Sequence, residues 1–128
     1  MAAPRYAKGA RNERELIDLF SQKGYAVIRA AGSGVGYACP DFLVFLHGRQ
    51  YGFECKAWDS DSIAIRKEKF EELKKWEEIT GITTLIAWRI SREGWRFFYL
   101  SELNEAGKNY TMTKKKAEII DRKIEELV

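Results

Sequence analysis

Pro40-Asp41-Phe42-Leu43-Val44-Phe45-Leu46-His47-Gly48-Arg49-Gln50-Tyr51-Gly52-Phe53-Glu54-Cys55-Lys56 is the stretch on which the fold turns. Asp41 to Leu46 is almost wholly apolar, the signature of a strand covered on both faces. His47 to Gln50 supplies a turn. Tyr51 to Trp58 then reads as a partner strand in which Tyr51, Phe53, Cys55 and Ala57 alternate with Gly52, Glu54, Lys56 and Trp58. Successive strand side chains point to opposite faces, so Glu54 and Lys56 share one face and Cys55 takes the other. If the hairpin closes through that turn, Asp41 at the start of one strand meets Glu54 near the end of the next. Two carboxylates and an ammonium then converge.

Outward from this hairpin the pattern alternates between helix and strand. Residues 12 to 23 carry Leu16, Ile17, Leu19 and Phe20 at helical spacing and stop at Gly24, with Asn12 as the expected N-cap. Tyr25 to Ala30 reads as a strand. Arg66 to Thr80 reads as a second helix with Phe70, Leu73, Trp76 and Ile79 on its apolar side and Gly81 as C-cap. Ile82 to Ile90 and Trp95 to Leu100 form a strand pair around Ser91-Arg92-Glu93-Gly94, and a polar stretch leads to a last helix over about 114 to 127. There Ala117, Ile120, Ile124 and Leu127 fall in register. The order α-β-β-β-α-β-β-α predicts an α/β fold, a mixed sheet with helices on its faces.

The 128 residues are about one domain's worth, and 45 % apolar with 13 % aromatic residues is enough for a real core. One domain over 1–128 is the expectation. No run approaches the roughly 18 apolar residues of a membrane span, and the N-terminus lacks an apolar signal segment, which points to a soluble intracellular protein. Cys39, Cys55 and His47 do not form a zinc-ligand pattern. The formal charge of +3 is concentrated: residues 1 to 40 hold six basic side chains, Arg5, Lys8, Arg11, Arg14, Lys23 and Arg29, against Glu13, Glu15 and Asp18. The other 88 residues balance at 16 and 16, so the basic end either meets a polyanion or is simply a solvated tail.

Hard carboxylate oxygens suit Mg²⁺, which keeps several waters and takes up substrate phosphate. Phosphodiester hydrolysis fits such a set, with Lys56 orienting water or offsetting charge on the phosphorane. An exposed Glu54–Lys56 pair on an edge strand, with Asp41 merely following Pro40, is the commoner explanation of the bare triplet, which is frequent by chance. Glu13 tips the balance, because it stands three, four and seven places before Leu16, Ile17 and Phe20 on the inward side of the first helix. With Asn12 as cap, Glu15 takes the capping-box position and leaves Glu13 without that duty. Gly32-Ser33-Gly34, with Gly36 behind, lies just before Asp41 and permits close backbone approach to a phosphate, though a plain loop has the same composition. Arg29 ends the preceding strand and can fork onto a phosphate or stay in solvent.

Taken in order, Lys8-Gly9, Glu13-Arg14-Glu15-Leu16, Gly24 to Arg29, Ala31 to Gly34, Pro40-Asp41, Glu54-Cys55-Lys56 and Trp95-Arg96-Phe97-Phe98 resemble the archaeal Holliday junction resolvases of the PD-(D/E)XK nuclease superfamily. The resemblance covers about residues 8 to 100. It implies a restriction-endonuclease-like mixed β-sheet flanked by α-helices, and a homodimeric, Mg²⁺-dependent endonuclease that nicks opposed strands of four-way DNA junctions, with Mn²⁺ as an expected substitute. By position it implies Glu13, Asp41 and Glu54, with the Cys55 backbone carbonyl, as the metal site. Lys56 and Ser33 join those three carboxylates as catalytic residues. Arg5, Lys8, Arg11, Arg14, Arg29, Gly32, Ser33 and Gly34 are the expected DNA contacts. Ala57 to Arg66 resembles the family less, since Ile63 and Ile65 stand where aromatic and basic residues are expected, and the last helix lies outside the likeness. Another small nuclease of the same superfamily, or a DNA-binding module without turnover, are the alternatives. Parity also predicts that the Cys39 and Cys55 thiols diverge and stay unpaired.

Overall fold

The computed structural model describes residues 5–30 and 39–127, with the backbone alone for residues 5–10. The first helix, α1 (Arg5–Gln22), begins well before Asn12, which is therefore an interior residue and not the cap. Glu15 is accordingly not a capping-box residue: its carboxylate accepts from Arg89 Nε at 3.1 Å and from Trp95 Nε1 at 3.2 Å, tying α1 to the sheet. The strands β1 (Ala26–Arg29), β2 (Phe42–Leu46) and β3 (Arg49–Lys56) follow. The β2–β3 turn is only His47-Gly48, both at positive φ (48° and 84°), the backbone of a tight two-residue hairpin. The strand thus starts at Arg49, two residues earlier than expected.

Next come β4 (Ser62–Arg66), α2 (Lys67–Thr80), β5 (Thr83–Ile90), β6 (Gly94–Tyr99), β7 (Asn104–Ala106), β8 (Asn109–Thr113) and α3 (Lys114–Ile120). The main sheet has the order β1-β2-β3-β5-β6, and only β3 and β5 run parallel. A parallel pair needs a crossover, and β4 with α2 provides it. Gly81 closes α2 in the left-handed conformation (φ 71°), as its position after the apolar stripe predicts.

Strand parity sends the sheet's side chains into two cores. On the α1 side Phe42, Val44, Phe53, Leu85, Ala87, Trp95 and Phe97 bury against Leu16 and Phe20. Each aliphatic or aromatic side chain so buried stabilises by about 1.5–3 kcal/mol, so this face alone outweighs any exposed ion pair on α1. On the α2 side Ile86, Trp88, Ile90 and Phe98 meet Phe70 and Leu73. Ile79, expected on that apolar side, is 74 % exposed instead, because α2 rests on the sheet through its first turns.

Three short strands, β4, β8 and β7, make a second antiparallel sheet that the sequence reading does not contain. Its reason is the α2-side core: Ile63, Ile65 and Met112 are fully or almost fully buried there, and Tyr110 stacks on Phe70 with centroids 3.7 Å apart. Ile63 and Ile65 are thus core residues and not failed DNA contacts. The C-terminal segment also differs from expectation. The helix ends at Asp121 (φ 48°) and a single 3-10 turn, Ile124–Glu126, follows. Ala117 and Ile120 belong to the α2-side core, whereas Ile124 and Leu127 pack on the α1 side. One straight helix cannot reach both faces, so the chain breaks and wraps the β6 edge, where Phe97 N donates to Arg122 O at 2.9 Å. No helix among the described residues is long and apolar enough to cross a membrane.

Candidate active site

The hairpin register pairs Phe42 with Phe53, which brings Asp41, one residue outside β2, opposite Glu54. Asp41 is fixed twice: its backbone N donates to Phe53 O at 2.8 Å, and its Oδ2 accepts from Cys55 N, also at 2.8 Å. The Cys55 peptide therefore points to the Asp41 side of β3. Glu54 lies on the α2 face of the strand and is only 7 % exposed. Among the described residues its Oε1 has no hydrogen-bond donor, and the nearest cation, Lys69 Nζ on α2, stands 3.8 Å away, an ion pair too long to be a hydrogen bond. Lys56 shares the Glu54 face by parity, and its ammonium lies 5.6 Å from the Trp58 ring. Glu13 reaches from α1 to accept from Arg29 Nε at 3.0 Å.

The electrostatics show that these groups form one cluster. Burial first, and then the Asp41 carboxylate, push Glu54 up to about 7, against the pull of Lys69 and Lys56. Burial and Asp41 also raise Glu13, with Arg29 opposing. Burial raises the Cys55 thiol, and Asp41, Glu13 and Glu54 all push the same way. Three carboxylates thus repel one another around the end of β3. A divalent cation relieves that repulsion and gives the orphaned Glu54 oxygen a partner, so the donor set fits a hard metal ion. Among the described residues no three His, Cys, Asp and Glu side chains converge at full metal-ligand spacing.

A model of the archaeal Holliday junction resolvase (Hjc) family matches residues 4–128. The chain belongs to that family. The crossover junction endodeoxyribonuclease Hjc of Archaeoglobus fulgidus is 34 % identical over 106 residues, covering 81 % of this chain and 77 % of the relative. That of Methanocaldococcus jannaschii is 37 % identical over 119 residues, 91 % of this chain and 85 % of the relative. The solved structure of the A. fulgidus Hjc superposes with a TM-score of 0.80 at 27 % identity, over 87 % of this chain and 93 % of that one. The bacterial homing endonuclease I-Ssp6803I shares the fold alone, with a TM-score of 0.58 at 11 % identity, over 87 % of this chain and 78 % of that one. The fold is a restriction-endonuclease-like mixed sheet flanked by helices, and the family's activity is that of a crossover junction endodeoxyribonuclease.

Of the expected site residues, Glu13, Arg29, Asp41, Glu54, Cys55 and Lys56 gather at this sheet end. Arg11 and Arg14 are exposed on α1, beside a cavity of about 380 Å³ that also includes Glu15 and Asp18. Arg5 and Lys8 lie in the first turns of α1, and their side chains, like Gly32, Ser33 and Gly34 as a whole, are outside the described residues. Cys39 and Cys55 are free thiols, and Cys55 packs toward the α1-side core as parity predicts.

The residue that sequence reasoning missed is Lys69. It occupies the i, i+4, i+7 stripe with Leu73 and Trp76, so a cation at an inward helix position was the available signal, the same one that singles out Glu13. Gly52 is the other. A Cβ there would stand 2.8 Å from Pro40 Cγ, so the bare backbone lets Pro40, and with it Asp41, close down on β3. Gly52→Ala is expected to cost about 1–3 kcal/mol in stability and to lower cleavage further by displacing Asp41, as checked by thermal melting beside single-turnover cleavage.

The raised Glu54 also predicts a pH dependence for the metal-free protein. Its folded value of about 7 lies above its ordinary 4.5, so on raising the pH the unfolded chain releases the proton first. Stability therefore falls between those two values and stays lower above about 7, by at most about 3 kcal/mol. In EDTA, Glu54→Gln should melt higher than wild type at pH 8 and lose that advantage near pH 4.5. Parallel melting curves for the two proteins across this range would disprove the burial argument.

Proposed function

We propose that this chain resolves four-way DNA junctions by divalent-metal-dependent hydrolysis of two opposed phosphodiesters, acting as a homodimer inside the cell, in the cytoplasm and on DNA. The observation that carries this reading is the Asp41 carboxylate held on the Cys55 peptide next to the buried Glu54, whose Oε1 has no hydrogen-bond donor among the described residues. Glu13, Asp41 and Glu54, with the Cys55 carbonyl, are the groups that would hold Mg²⁺ or, in its stead, Mn²⁺. Such an ion supplies Lewis acidity toward the phosphate and acidifies the attacking water.

The chain's own side chains do the rest. Lys56 stands on the Glu54 face to orient the water and to offset charge on the phosphorane. Arg29 holds Glu13 through Nε and offers its remaining guanidinium donors to a phosphate. Ser33, flanked in the sequence by Gly32 and Gly34, is the proposed hydroxyl donor to the phosphate. Arg5, Lys8, Arg11 and Arg14 give α1 a basic start that can follow a DNA arm. One hydrolytic centre per chain makes one nick, and a junction has twofold symmetry, so paired nicking calls for two copies related by that axis.

The test is a comparison of a four-way junction with a linear duplex of the same sequence, in Mg²⁺ and in EDTA. The expected result is paired nicking of the junction only, and only with metal. Equal cleavage of the duplex would overturn junction selectivity, and cleavage in EDTA would overturn the metal mechanism.

A further inference from the structure

Helix α2 brings an ammonium into the site from outside the Asp41, Glu54 and Lys56 motif. Lys69 Nζ lies 3.8 Å from Glu54 Oε1 and donates to the Cys39 carbonyl at 3.3 Å. It is therefore tied to both halves of the site, the buried carboxylate on β3 and the backbone that leads through Pro40 into Asp41. The other cations nearby make their short contacts elsewhere, although Lys56 also acts on Glu54 at longer range. Lys56 lies by the Trp58 ring and Arg29 holds Glu13, which leaves Lys69 as the ammonium within ion-pair distance of Glu54 among the described residues.

The geometry points to Lys69 as a positioning residue that acts as the resident counter-ion of Glu54 and competes with the incoming divalent metal for that carboxylate. The inference rests on the metal-site reading given above. Without metal, the ammonium offsets part of the repulsion between Glu54 and Asp41 and holds the Cys39–Asp41 backbone in place. When metal takes Glu54, the two cations repel, and the contact that survives is the neutral Cys39 carbonyl. Lys69 then keeps Asp41 in register while giving up the carboxylate. Two consequences follow from charge alone: removing the ammonium but keeping a donor must tighten metal binding, and moving the same charge onto an arginine must not.

Mn²⁺ titrations of the DNA-free protein, followed by the electron paramagnetic resonance of free Mn²⁺, test this with wild type, Lys69→Gln, Lys69→Arg and Glu54→Gln. Lys69→Gln, which can still donate to Cys39 O, is expected to bind Mn²⁺ about fivefold more tightly, the size of a partly exposed ion pair. Lys69→Arg should stay near wild type, and Glu54→Gln should bind far more weakly. Unchanged or weaker binding by Lys69→Gln would overturn the assignment, since loss of a merely structural contact loosens a site and does not tighten it. Should circular dichroism show that Lys69→Gln is unfolded, Lys69→Met, which lacks the donor to Cys39 O, still decides the point in one direction: tighter Mn²⁺ binding than wild type supports the counter-ion role, and Lys69→Arg binding tighter than wild type overturns it. A wild type that binds no Mn²⁺ better than Glu54→Gln would instead overturn the metal-site reading itself, and this inference with it.

Discussion

Asp41→Asn and Glu54→Gln are each expected to slow junction cleavage at least about a thousandfold, close to 4 kcal/mol of activation free energy, while junction affinity stays within a few-fold of wild type. Each swap keeps shape and removes a hard anionic donor. An asparagine in place of Asp41 could still accept from the Cys55 amide, so the hairpin end keeps its geometry. A glutamine in place of Glu54 would fill the same buried position without the charge, and the uncompensated burial that raises Glu54 would vanish. On the proposed reading, affinity comes from phosphate contacts along the basic surface and not from these two side chains. Single-turnover kinetics at saturating protein, beside gel-shift binding in Ca²⁺, separate the two effects. Cleavage by either variant within about tenfold of wild type would mean that the metal is held elsewhere.

Lys56→Ala is expected to lose about a hundred- to a thousandfold in cleavage rate, the usual cost of removing one charged or hydrogen-bonding group that acts in the transition state. Raising Mg²⁺ should not restore it. Lys56 shares a strand face with Glu54 by the period of two, yet its ammonium stands near Trp58 and is not paired at bonding distance to a carboxylate among the described residues. On the proposed reading that ammonium acts on water and phosphate. A rate that recovers fully at high Mg²⁺ would show that Lys56 serves metal affinity only.

The contrast between what the sequence made legible and what it hid has a physical basis. The β2–β3 hairpin was legible because period-two alternation fixes which side chains share a face, and register across a tight turn then fixes what Asp41 meets. Glu13 was legible because a carboxylate on the inward stripe of an amphipathic helix is an anomaly. The start of α1 was not, since residues 5–11 carry no apolar periodicity to extend the pattern backward from Leu16.

The second sheet was hidden for a different reason. Ser62 to Arg66 does alternate, but β7 and β8 bury only Met112 fully, and their main packing is the distant stack of Tyr110 on Phe70. Such support is non-local and leaves no local pattern. The C-terminal helix shows the opposite failure: Ala117, Ile120, Ile124 and Leu127 keep helical spacing, but periodicity is blind to which core each residue joins, and these join two. Lys69 went unseen because the motif at β3 draws the eye to Lys56, while its own partner, the Cys39 carbonyl, lies thirty positions away.

Soaking crystals of the protein in Mn²⁺ and mapping the anomalous scattering at the manganese edge puts the shared carboxylate site to its most direct test. A peak between Asp41 and Glu54, on the side to which the Cys55 peptide points and lost in Glu54→Gln crystals, is the predicted result. A peak that avoids both carboxylates, or one that persists unchanged in Glu54→Gln, would contradict a metal centre built on the end of β3.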